Sequence, residues 1–168
     1  MSDALNSVDR IKLLMIDTFG SKFKKYYDGD PDVIPKFNLP CIIVQQVRDD
    51  TAEAEMGQDD VTDQIRIKVL YDRADDWTGA TSDGDLTEKK LRDVVGTTVT
   101  SDRQYKPGTI KHAIRKELLN RDVEAVAPTM SIEFGVNPRE TLQSEENAAW
   151  TAEAWVTFGV KFSVDTYQ

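Results

Sequence analysis

Cysteine and histidine are almost missing from this chain: Cys41 and His112 are single residues among 168. A lone cysteine excludes a disulfide within the chain, and one residue of each kind excludes a structural zinc centre built from thiolates and imidazoles. Cys41 stands beside Ile42, Ile43 and Val44 and reads as a small buried apolar residue in a protein of a reducing compartment. Positive charge is also scarce. Lys and Arg total 21 against 30 Asp and Glu, for a net charge of -9 and a pI near 4.6. That balance argues against a protein that grips nucleic acid or an anionic membrane electrostatically, although an acidic wall lets a duplex pass without sticking. No stretch approaches the roughly 18 uninterrupted apolar residues of a membrane span. Met1 to Asn6 has neither the basic flank nor the apolar centre of a leader, so synthesis and use in the cytosol are expected.

Catalytic constellations are lacking as well. A Ser or Cys nucleophile needs a base, and the one histidine falls in a Lys- and Arg-rich helical stretch beside Lys111, where it reads as a surface residue. The run Asp28, Asp30, Asp32 opens like a calcium loop, but the sixth and twelfth positions, which want Gly and Glu, hold Val33 and Leu39. Gly79 and Gly84 lack the Lys and Ser or Thr of a nucleotide loop. The reading is therefore no enzyme, no cofactor and no metal.

What the chain has is alternation. Trp150, Ala152, Ala154, Val156, Phe158, Val160, Phe162 and Val164 occupy every second position, the pattern of a strand with one buried face. The strand is long for a domain of this size, so it bends, or it reaches past its own domain and is completed by another protein. Before it, Leu5, Val8, Ile11, Leu14, Met15 and Phe19 predict a helix from Asp3 to about Gly20, capped by Asp3 or Ser7 and stopped by Gly20. Gly29, Pro31, Pro35 and Pro40 predict a connecting loop. Cys41 to Val47 and Val61 to Tyr71 read as neighbouring strands joined by a long acidic loop, residues 48–60, in which Asp49, Asp50, Glu53 and Glu55 repel one another into water. Further polar loops are expected at 72–85 and 137–148, helices at Leu86–Val95 and Thr109–Asn120, and a strand over Met130–Val136.

One α+β domain follows, spanning 1–168 in the order α-β-β-α-(α)-β-β, with a largely antiparallel or mixed four-stranded sheet and helices packed on one face. Trp77, in a polar loop, and Trp155, among Thr151, Glu153 and Thr157, are candidate interface anchors together with Phe158 and Phe162. Cover of Trp155 by the chain's own helix or loop is the alternative.

The stretch Tyr26-Tyr-Asp-Gly-Asp-Pro-Asp-Val-Ile-Pro, then Asn38-Leu-Pro-Cys-Ile-Ile-Val, follows an amphipathic helix and precedes the strand Asp63-Gln-Ile-Arg-Ile-Lys-Val-Leu-Tyr. This order resembles the tail terminator (tail completion) proteins of long-tailed bacteriophages. The resemblance implies a hexameric ring of identical subunits in the virion, at the head-neck junction, assembled in host cytoplasm. Such a ring caps the tail tube protein, ends tube growth, meets a neck or head-completion protein and lets genomic DNA cross its lumen unbound. It carries no catalytic residue over. In that frame Asp49, Asp50, Glu53 and Glu55 are candidates to face lumen or tube, and the end of the last strand, from Trp155 to Val164, is a candidate subunit interface. The competing readings are another neck component, a tail tube subunit, and, more distantly, an intracellular ligand-binding or enzymatic domain.

Overall fold

The computed structural model describes residues 6–74, 76, 86–119, 125–140 and 148–166. The protein is α+β, with three helices and a five-stranded mixed sheet among the described residues. Helix α1 spans Ser7–Phe19 and buries Val8, Ile11, Met15 and Phe19, the apolar stripe expected from helical spacing. Its cap is neither Asp3 nor Ser7: the Asn6 side chain accepts from the Asp9 amide at 2.8 Å, which frees Ser7 for a tertiary bond. Gly20 closes the helix at φ 53, as the sequence suggested.

The expected loop that follows contains a strand. β1, Lys25–Asp28, lies parallel to β2, Cys41–Glu55, and makes the sheet five-stranded instead of four-stranded. Four residues are too few to show alternation, and their pairing depends on a partner that arrives later in the chain. The proline-bearing turn between β1 and β2 packs on the far side of the sheet, where Ile34, Leu39, Cys41, Ile43 and Leu70 form a small second core. Cys41 is buried there, as expected.

The acidic loop expected at 48–60 is absent. β2 runs through Glu55, β3 spans Gln58–Asp72, and only Met56 and Gly57 turn the chain, with Gly57 at φ 93. Repulsion loses here because alternation splits the acids between two solvated faces, where water and salt weaken each pair, while the backbone ladder gains bonds at every step. β4, Ala125–Glu140, and β5, Ala148–Asp165, complete the sheet in the order β1-β2-β3-β5-β4.

β5 carries the predicted buried face, with Ala152, Ala154, Val156, Phe158 and Val160 in the core. It does not reach beyond the domain. Its residues Thr151–Asp165 pair with β3 and Ala148–Lys161 with β4, so the longest strand is interior to the sheet as far as Lys161, and Phe162–Asp165 pair on the β3 side alone among the described residues. Helix α2, Thr87–Val95, packs on β3 and β5. Helix α3, Ile110–Leu119, packs on β4 and α1. All three helices cover one sheet face, and the main core joins Ile11, Met15, Leu91, Ile110 and Ile114 to Ile65, Ile67 and Val156.

Candidate interaction surfaces

The β2–β3 hairpin, flanked by the end of β5, forms an acidic ribbon. Because side chains alternate, Asp49 and Glu53 point to the helix side together with Asp59 and Asp63, while Asp50 points to the other side. The candidate acids therefore do not make one wall. On the far face charges are compensated: Arg48 Nε lies 2.7 Å from Asp50 Oδ1, and Lys161 Nζ lies 3.4 Å from Asp60 Oδ2. On the helix face Asp49, Glu53 and Asp59 form no ion pair among the described residues. Glu55 stands beside the turn, opposite Gln58.

Asp63 anchors the base of the ribbon to the helix layer. Its carboxylate accepts from Ser7 Oγ at 2.6 Å and from Gln46 Nε2 at 2.9 Å, and it stands opposite Asp49 in the β2–β3 register. Burial pushes its pKa up, the Asp49 charge adds to that, and the Ser7 bond opposes both. Burial likewise pushes the Tyr71 hydroxyl up to about 12.

The aromatic candidates separate. Phe158 is a core residue at 2% exposure, so it is no interface anchor in this fold. Phe162 is partly buried and packs against the core. Trp155 is half-buried and covers its own sheet: a Cβ added to Gly135 on β4 would lie 2.6 Å from Trp155 Cη2. The glycine leaves the floor that the indole needs. Trp77 lies outside the described residues. Around Trp155 the polar side of β5 is unexpectedly dry, with Thr151 and Glu153 fully buried. Glu153 accepts from Asn137 Nδ2 at 2.9 Å and from Thr151 Oγ1 at 2.8 Å.

Exposed apolar residues lie elsewhere, at positions the alternation assigned to the core. β4 is an edge strand, and on its helix side Phe134 and Val136 remain 42% exposed, with Trp150 on β5 55% exposed beside them. Met56 at the hairpin tip is 92% exposed. Period-two spacing identifies a face as apolar, but α2 and α3 do not extend over all of it, and only their placement decides which of these residues are covered.

An open cleft of about 500 Å³ separates α1 from α3. Leu13, Leu14, Pro107 and Ala113 line it together with Thr18 and His112, and it carries charge of both signs, Arg10 and Lys116 against Asp17. His112 is half-buried there. Among the described residues no group of His, Cys, Asp and Glu side chains is placed to hold a metal. Of the acids that opened like a calcium loop, Asp30 instead pairs with Lys68 Nζ at 2.5 Å. No helix among the described residues is long and apolar enough to cross a membrane. The chain matches no protein-family model and no curated protein sequence.

Proposed function

We propose that this chain is a structural subunit of a bacteriophage tail, assembling as a ring, a hexamer if the family resemblance holds, that caps the tail tube, ends its growth and joins it to the neck. The resemblance over Tyr26–Val47 supports this reading from the sequence. The observation that carries it structurally is the β4 edge: a strand of 16 residues that pairs with β5 alone among the described residues, with exposed Phe134, Val136 and, on β5, Trp150 beside it. A long edge left open invites strand pairing; Pro128, Pro138 and the register shift between Val126 and Met130 interrupt this one toward its ends, and the stretch Met130–Asn137 between them is what a second chain can complete. This edge takes the place of the final strand, which is paired on both sides as far as Lys161. The net charge of -9 suits a lumen that DNA crosses without adhering.

The test adds the purified protein to growing tail tubes under electron microscopy. Tubes of fixed length carrying a terminal ring are expected. Indefinite stacking of the protein on itself would make it a tube subunit, and absence from tube ends would refute the assignment.

A further inference from the structure

Charge is segregated along this chain. From Asp49 to Asp63 there is no Lys or Arg, and from Arg103 to Lys116 there is no Asp or Glu. The first segment is the ribbon from its base at Asp49 and Asp63 to its tip. The second is the loop entering α3 and the outer side of that helix, with Arg103, Lys106 and Lys116 exposed in a protein that is acidic overall. Ser7 at the start of α1 touches Asp63, and β3 continues outward from there to Gln58, about 17 Å at roughly 3.3 Å per residue. The tip ends in Met56, whose side chain contacts almost nothing in its own copy.

The basic segment borders the cleft between α1 and α3, in which Arg10 and Lys116 stand against the single carboxylate Asp17 and Leu13, Leu14 and Pro107 supply apolar lining, so an acidic tip ending in a thioether matches it in charge and polarity. We propose that the hairpin tip of one copy docks into the α1–α3 cleft of a second copy. Met56 enters against Leu13, Leu14 and Pro107, and Glu53, Glu55 and Asp59 meet Lys116 and, on the adjoining loop, Lys106. A flexible thioether suits a roomy, irregular slot, and the surrounding carboxylates set the register. The contact is heterologous, one patch against a different patch, which closes into a ring when the rotation allows. The inference rests on the ring reading and gives it a contact, and it moves Glu53 and Glu55 from the lumen to the boundary between copies.

A charge swap tests it, read by sedimentation velocity on the full chain. An arm variant carries Glu53→Lys, Glu55→Lys and Asp59→Lys; a cleft variant carries Lys106→Glu and Lys116→Glu. Each alone should raise the concentration needed for assembly about tenfold or more. Mixing the two should restore assembly, because each arm then meets an opposite cleft. Met56→Asp should weaken assembly with an unchanged melting temperature, which separates docking from folding. Both variants assembling like the unaltered chain, or a mixture that fails to recover while each variant is folded, would overturn the docking and leave the ring reading standing. An unaltered chain that never self-associates, alone or on tube ends, would overturn both.

Discussion

Replacing Gly135 with alanine should destabilise the protein while Trp155 is present and stabilise it once Trp155 is gone. The added Cβ would lie 2.6 Å from Trp155 Cη2 and 2.9 Å from Cζ3, well inside contact distance, so the indole must tilt off the strand. Overpacking of this kind costs about 1–3 kcal/mol, and alanine regains about 0.5–1 kcal/mol over a strand glycine, for a net loss of about 1 kcal/mol. Trp155→Ala removes a half-buried ring and should cost about 2 kcal/mol, near half the value for a fully buried aromatic. In that background Gly135→Ala meets no ring and should gain about 0.5 kcal/mol or more. The coupling is then about 1.5–2 kcal/mol, large for residues on adjacent strands. Equilibrium urea unfolding of the four proteins, with unchanged slopes, measures it. A more stable Gly135→Ala single variant would show that the indole does not rest on this glycine, and Trp155 would return as a candidate for the interface.

Three further variants probe other contacts. Gly96→Ala should cost about 3 kcal/mol by thermal or urea unfolding, because φ 90 is hostile to a Cβ and that Cβ would fall 2.5 Å from Thr109 Oγ1, itself bonded to Lys106 O and the His112 amide. At Asp63 the folded pKa is raised above the ordinary 3.8, so its ionised form costs stability as pH climbs through and above the folded value, and the cost vanishes below both. Asp63→Asn keeps an acceptor for Gln46 and a partner for Ser7, and should raise the melting temperature at neutral pH but not at about pH 3; a larger gain in acid would reverse the assigned sign. Phe134→Lys with Val136→Lys should leave the melting temperature nearly unchanged, since both are 42% exposed, yet block joining to tube ends in the electron-microscopy assay.

The strong periodicities were sufficient by themselves. Ile11, Met15 and Phe19 fix the buried side of α1, and Ala152 through Val160 fix that of β5, because an amphipathic element can hide its apolar stripe in only one orientation. Gly20 ended its helix as read, and Cys41 lies in the apolar interior that its neighbours implied. Composition and charge were legible for the same reason: they are sums over residues and need no partner.

Pairing was not legible, because a backbone hydrogen bond carries no residue label. The acids of 48–60 look like a loop when read for repulsion, and become a ribbon because β3 and β5 supply neighbours along its length. Four residues of β1 acquire meaning only from β2. The long final strand announced an uncovered edge, yet the fold placed it between β3 and β4 and left β4 outermost. Phe158 and Phe134 share one pattern and one sheet face, but the first lies in the core and the second beyond its cover. The chain alone determined which surfaces are apolar and which are charged; only the three-dimensional arrangement decided which of them remain for another molecule, since that depends on where each helix ends over the sheet.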